Sequence, residues 1–306
     1  MSGYLEALTL RLASGMNLLD EEFRARHARY VLAAQNSDGG FSGREGPSDL
    51  YYTGFALRGL AIVGELDGEP ARRAAGFLKG QLSRQTTIID FLSLLYGAML
   101  LEASAGIDIF ADAQPDWRQA VAAALERFRR ADGGYAKTDE GQSSSTYYTF
   151  LVLLCQQLIG VEPSQPQTIV DFVHSRWRDD GGFVEIGPMK RSGTNPTAAA
   201  IGTLKILDAI DDDTRQAVIE YLVDAQNEEG GLLANARIPV ADVLSTFTGA
   251  LTLGDLDALD RIDRARARRY VESMQHATGG FRGGEWDNGV DVEYTFYGIG
   301  ASALLA

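Results

Sequence analysis

The sequence predicts an all-α fold: six antiparallel helix pairs that can close into a ring. Two observations carry this expectation. A double-glycine turn recurs as Gln35-Asn36-Ser37-Asp38-Gly39-Gly40-Phe41, Gly133-Gly134-Tyr135, Gly181-Gly182-Phe183, Gly230-Gly231-Leu232 and Gly279-Gly280-Phe281. The second glycines stand at 40, 134, 182, 231 and 280, so the last three intervals are 48, 49 and 49, and the first, 94, is two periods with one member missing. A fixed period of this length marks a repeat architecture. Each turn also follows an amphipathic helical stretch and precedes a more apolar one, an outer helix and an inner helix.

Composition bounds the rest. The 306 residues suffice for a large core, and the regular repeat argues for one domain over 1–306. With 28 basic and 42 acidic residues the formal charge is −14, which disfavours nucleic acid and anionic membrane as general partners. Cys155 is the only cysteine, so an internal disulfide and a multi-cysteine metal site are both excluded. Met1 to Glu6 lacks a basic region followed by an apolar core, so no signal peptide is expected. The nearly apolar run Phe91–Leu101 is too short to span a bilayer. A cytoplasmic protein with no transmembrane segment is the expectation.

Residues 1–20 read as a leader helix. Glu21 to Ala34 is the first outer helix, with Phe23, His27, Tyr30, Val31 and Ala34 at three- and four-residue steps. Gly39-Gly40 stops it, because glycine reaches the left-handed cap conformation without side-chain cost. Phe41 is expected to pack back beneath the turn. Leu50 to Val63 is apolar on several faces, the pattern of a buried inner helix. The second unit is degenerate: Ala71 to Leu82 outside, a bare turn over Ser83 to Thr87, and Ile88 to Ala103 inside. The remaining units pair Trp117–Arg129 with Thr146–Leu158 and Thr168–Arg176 with Pro196–Leu207. Thr214–Gln226 then pairs with Asp242–Leu253, and Ile262–Gln275 with Val292–Leu305. Asn195 before Pro196 is expected to cap the fourth inner helix.

Repeats of this length with a Gln-x-x-x-Gly-Gly-Phe-like turn resemble the prenyltransferase and squalene-cyclase repeat. Six in one domain resemble the β subunit of protein prenyltransferases, from about residue 21 to the end. The resemblance implies an (α/α)6 toroid with an aromatic funnel that holds an isoprenoid diphosphate. It also implies a catalytic zinc held by Asp, Cys and His on the last two inner helices. Asp242 matches the aspartate, but Leu244 stands at the cysteine and Tyr294 at the histidine. Zinc favours sulfur and nitrogen ligands, so zinc-dependent cysteine alkylation is not expected. A helical α-type subunit around the ring is a further implication, with a homodimer as the alternative.

Three groups of residues carry candidate chemistry. Tyr51, Tyr52, Phe55, Tyr147, Tyr148, Phe150, Phe247, Tyr294, Phe296 and Tyr297 cluster near inner-helix starts. Each alone reads as packing, but as a set facing one mouth they suit a prenyl chain. Tyr52, Tyr148, Phe247 and Tyr297 are the expected pocket. Lys190, Arg191 and Arg237 lie in loops where the resemblance places diphosphate ligands. Asp49, Asp242, Asp291 and Glu293 stand near inner-helix starts, where a carboxylate also serves as a cap. Asp291-Val292-Glu293-Tyr294-Thr295 weakly resembles the Asp-x-Asp-Asp-Thr motif of class II terpene cyclases, with Glu293 in the proton donor's place. Such an acid must stay protonated, through burial or a nearby carboxylate such as Asp291. The same carboxylates are candidates to hold Mg²⁺ with a diphosphate. His27, His174 and His276 read as packing or surface residues, Cys155 as a small buried hydrophobe, Ser143-Ser144-Ser145 as a loop and cap, and Asp211-Asp212-Asp213 as a solvated turn. The expected function is an isoprenoid-diphosphate-binding, prenyltransferase-like ring with Asp242, Asp291, Glu293 and Tyr294 as candidate catalytic residues. A cyclase using Glu293 and a non-catalytic lipid- or peptide-binding scaffold are the alternatives.

Overall fold

The computed structural model describes residues 3–82 and 87–306. The inner helices are α3 (Leu50–Val63), α5 (Ile88–Ala105), α7 (Thr146–Leu158), α9 (Thr194–Ile206), α11 (Val243–Asp255) and α13 (Val292–Leu304). Each packs on the next and α13 packs on α3, so the six close a ring. The outer helices are α2 (Glu21–Ala33), α4 (Gly68–Gly80), α6 (Trp117–Glu126), α8 (Pro166–His174), α10 (Asp212–Asp224) and α12 (Arg264–Ser273). By length and composition α5 alone is apolar enough to cross a membrane among the described residues, and here it is an inner helix of the ring.

The turn chemistry explains why the pairs form. Gly39, Gly133, Gly181, Gly230 and Gly279 have φ between 87° and 102°, a region that penalises any side chain. A Cβ on each would strike the backbone of a neighbouring outer helix, at Arg73, Thr168, Ala217, Arg266 and Arg26 respectively. The turn of one repeat is thus seated on the next. Phe41, Tyr135, Phe183, Leu232 and Phe281 follow the glycine pairs and are fully buried, as expected. Their N–H groups donate to Thr53 (2.9 Å), Thr149 (3.0 Å), Thr197 (2.9 Å), Thr246 (3.0 Å) and Thr295 (3.2 Å). Each threonine lies in the first turn of the paired inner helix.

Several expectations are corrected. Asn195 does not cap the fourth inner helix. That helix begins at Thr194 with Gly193 as its cap, because the Thr194 N–H and hydroxyl reach Ala234 and Leu233. Pro196 then lies in the first turn, where no N–H is needed. Asp211 is a cap, accepting from the Thr214 N–H at 2.7 Å, and Asp212 and Asp213 open α10. Residues 281–291 form an antiparallel hairpin, β1 (Phe281–Gly284) and β2 (Asp287–Asp291), where a loop was expected. The bare turn expected at Ser83–Thr87 lies outside the described residues, apart from Thr87, which caps α5.

The leader segment has a structural role the sequence did not reveal. Helix α1 (Tyr4–Met16) packs on α13, α3 and α7 at the end of the ring away from the inner-helix N-termini. Gly15 lets it approach the Ala303 carbonyl, where a Cβ would clash. The Tyr4 hydroxyl donates to Asp255 at 2.6 Å, Arg11 pairs with Asp255 at 3.2 Å, and the Thr9 and Tyr96 hydroxyls meet at 2.6 Å.

His27 joins the last repeat to the first. Its Nδ1 accepts the Gly280 N–H at 3.1 Å, its Nε2 lies 3.3 Å from Gln275 Oε1, and its ring stacks on Phe281. Burial lowers its pKa to about 4. The unfolded chain therefore binds a proton near pH 6.5 that the folded chain refuses until about pH 4, so stability falls as pH drops through that window. At pH 5 the loss relative to pH 8 is about 2 kcal/mol from this site. Denaturant melts of wild type and His27→Asn at both pH values should show this loss in wild type only.

Candidate functional site

The ring encloses a cavity of about 420 Å³. The caps determine which side chains reach it. Asp49, Thr87, Ser145, Asp242 and Asp291 each accept a first-turn N–H, while Gly193 leaves α9 without a side-chain cap. The second residue after each cap faces inward, giving Tyr51, Ile89, Tyr147, Asn195, Leu244 and Glu293 around the mouth. The fifth and sixth positions add Phe55, Phe150, Phe247, Phe296 and Tyr297, and deeper positions add Arg58, Tyr96, Leu154 and Leu251. Tyr4, Leu5 and Leu8 of α1 form the floor. The rings make a continuous wall: Tyr51–Phe55 at 4.9 Å, Phe55–Tyr297 at 5.2 Å, Phe296–Tyr297 at 5.4 Å and Phe247–Tyr297 at 5.6 Å between centroids.

Of the expected pocket residues, Phe247 and Tyr297 line this cavity, whereas Tyr52 and Tyr148 do not, nor does the candidate catalytic residue Tyr294. The inward face is set one residue earlier than expected, so Tyr51 and Tyr147 take those places. Tyr52 packs over Gly43 and Tyr294 over Gly283. Lys190, Arg191 and Arg237 are exposed on the loops before α9 and α11, at the mouth end but outside the cavity wall.

The carboxylates divide into two kinds. Asp242 accepts from the Ser245 N–H (2.6 Å) and hydroxyl (2.8 Å), and Asp49 accepts from the Tyr52 N–H at 2.8 Å, so both act as caps. Asp291 accepts from the Tyr294 N–H at 2.8 Å and from Arg44 Nε at 3.2 Å, while Arg44 also binds Asp287. Glu293 is different. It faces the cavity and its Oε1 accepts the Tyr51 hydroxyl at 2.6 Å. Burial raises its pKa above the usual carboxylate range and Asp291 adds to the rise, against the Tyr51 hydrogen bond and Arg58. Glu185 also faces the cavity, bonded to the Ser145 hydroxyl and likewise raised by burial.

The zinc positions Asp242, Leu244 and Tyr294 do not fit zinc, since they supply neither thiolate nor imidazole and Asp242 is engaged by Ser245. Among the described residues, no three His, Cys, Asp or Glu side chains form a metal-holding group. Cys155 is buried and its thiol is pushed up by burial, as befits a core residue. Arg58, Tyr96, Glu185 and the α1 floor went unnoticed in the sequence. The spacing of inner-helix positions from the caps would have found Arg58 and Tyr96, which both stand nine residues after their caps. The Tyr51→Phe substitution removes a donor to the charged form, so it should raise the Glu293 pKa further. Carboxyl-labelled NMR titration would read this as an upward shift.

Comparison with known proteins agrees with this architecture. Solved structures share the fold at low identity. The protein geranylgeranyltransferase-I of Candida albicans, solved with GGPP, has a TM-score of 0.73 at 16% identity, covering 93% of this chain and 92% of that one. A type II terpene cyclase variant from Scytonema, in complex with geranylgeranyl dihydroxybenzoate, has a TM-score of 0.64 at 15% identity, covering 98% of each chain. A protein from Actinoplanes has a TM-score of 0.61 at 15% identity, covering 92% of this chain and 98% of that one. No curated protein matches the chain. The model of the prenyltransferase alpha-alpha toroid domain matches residues 9–75, 75–236 and 198–306, and the chain belongs to that family.

Proposed function

We propose that the central cavity binds an isoprenoid chain and that the protein acts on an isoprenoid diphosphate, as a prenyltransferase-like ring that does not use zinc. The observation that carries this reading is the continuous aromatic wall of a well closed below by α1. Such walls bury a prenyl chain and meet an allylic cation with ring faces. The Candida transferase was solved with GGPP and the Scytonema cyclase with a geranylgeranyl substrate, which supports the chain class. In this reading Lys190, Arg191 and Arg237 hold the diphosphate at the rim. Ionisation breaks the C1–O bond and leaves its electron pair on the diphosphate. An acceptor then bonds to C1 and loses a proton. Mg²⁺, if recruited, would offset charge on the departing diphosphate. Asp242 and Asp291 hold the starts of α11 and α13, and so position Leu244 and Glu293 at the mouth. Ile186, Met189, Ile238, Val240 and Trp286 expose apolar surface on the mouth loops of the last three repeats. A helical partner subunit, or a second copy, seated there belongs to the same reading.

A second reading rests on Glu293, one of two cavity carboxyls raised by burial and the one bonded to an aromatic residue of the wall, Tyr51. As an acid it would transfer its proton to a terminal alkene carbon, forming a C–H bond and a carboxylate. The next double bond attacks the cation and closes a ring. Loss of a proton from an adjacent carbon restores an alkene, so the net change is an isomerisation.

Calorimetric titration with farnesyl and geranylgeranyl diphosphate against the matching alcohols tests the first reading. The diphosphates should bind more tightly, and Arg191→Ala should weaken them at least tenfold while leaving the alcohols unchanged. Equal affinity in that variant removes Arg191 from the site. Product analysis with linear prenyl substrates tests the second. A cyclic product should appear in wild type and be lost in Glu293→Gln, and equal turnover by that variant rejects the acid role.

A further inference from the structure

Arg58 is a cation lining the cavity with no side chain in direct ion-pair contact among the described residues. Its guanidinium lies over the rings of Phe55 (4.9 Å), Tyr96 (4.9 Å) and Phe296 (5.9 Å). Its Nε is buried without an acceptor, and among the described residues it has neither an ion pair nor a hydrogen bond. Ring faces replace part of the lost hydration, but they leave a planar fork of donors unfilled. Its charge is felt by Glu293, but neither cavity carboxyl touches it. Glu293 is held by Tyr51 and Glu185 by Ser145. Glu293 stands second after its cap at the mouth, whereas the Arg58 guanidinium lies among rings five, six and nine positions after theirs, one of them Tyr96, which meets Thr9 of α1, so the cation is deeper than the carboxyl.

The cavity is therefore polarised, with two carboxyls near its mouth and, deeper among the rings, a cation without an ion pair. A carboxylate or phosphate oxyanion is the group that fills a guanidinium fork with two parallel hydrogen bonds. We propose that Arg58 binds the oxyanion of an amphiphilic ligand, a carboxylate or phosphate, inserted charged end first with its chain running up the aromatic wall. This rests on the isoprenoid-chain reading for the chain, but it moves the charged end from the rim cations to the interior. It also bears on the acid reading. A bare guanidinium opposes a carbocation in the same cavity, and one neutralised by the ligand's own oxyanion does not.

The test titrates wild type, Arg58→Met, Arg58→Lys, Arg29→Ala and Arg191→Ala with farnesoic acid, farnesyl diphosphate and farnesol, with melting curves to establish folding. In wild type the acid should bind at least tenfold more tightly than the alcohol. Arg58→Met should abolish that advantage without weakening farnesol, Arg58→Lys should restore part of it, and Arg29→Ala, at an exposed outer-helix position, should leave it intact. If the diphosphate responds to Arg58→Met and not to Arg191→Ala, phosphate shares the interior site. If acid and alcohol bind wild type equally, and Arg58→Met changes neither anion, the Arg58 assignment is wrong while chain binding stands. If none of the three ligands binds wild type, both readings fall.

Discussion

Five threonine hydroxyls hold the chain where it reverses direction, and the ring depends on them. Thr53, Thr149, Thr197, Thr246 and Thr295 each accept a buried N–H from the residue after a glycine pair. A buried N–H left without an acceptor costs on the order of 1–3 kcal/mol. Thr149, Thr246 and Thr295 also donate to the carbonyl four residues back, so a single hydroxyl joins the outer-helix exit to the first turn of the inner helix. The first glycine of each pair, at positive φ, sits on the next outer helix. One short segment thus sets both the pairing within a repeat and the contact between repeats. The second repeat shows what its loss does. It has no glycine pair and carries Phe91 at the threonine position, and helix α6, which would have received that turn, buries only Leu125.

Because that anchor and the caps fix where each inner helix begins, they also fix which residues face the centre. The cavity's chemistry follows from a few positions repeated six times. Most are occupied by aromatic or aliphatic side chains, so the exceptions are informative. Asn195 accepts from Thr248 at 2.6 Å and is satisfied within the wall. Glu293 is held by one phenol, and Arg58 is held only by ring faces.

The sequence made the helix pairs legible because glycine pairs and apolar periodicity are local signals. The inner helices Leu50–Val63 and Thr146–Leu158 begin and end where periodicity places them. Capping by Asp49 and Asp242 was equally local. The cavity face was less legible, because neighbouring tyrosines such as Tyr51 and Tyr52 differ only by a rotation of about 100° around the helix, which the cap fixes. Arg58 was hidden in an apolar run, where a lone arginine looks like surface charge. The floor was hidden altogether. Nothing in the periodicity of Tyr4–Met16 says that its partners are the far ends of α3, α7 and α13.

That floor gives the site its direction. With α1 across one end, the ring is a cup, and whatever enters last remains nearest Glu293 and Glu185. On the far side of α1 a groove of about 520 Å³ runs along Leu10, Ala13, Met99 and Ala103, and it shares Tyr4, Leu5 and Leu154 with the cavity. One layer of side chains separates the two spaces. The Asp255 contacts of Tyr4 and Arg11 hold that layer in place. A ring open at both ends would let a long chain thread through in either orientation. A cup must select which end of the ligand goes down, and the side chains at its two levels, carboxyls above and a guanidinium below, are what make the two orientations unequal in energy.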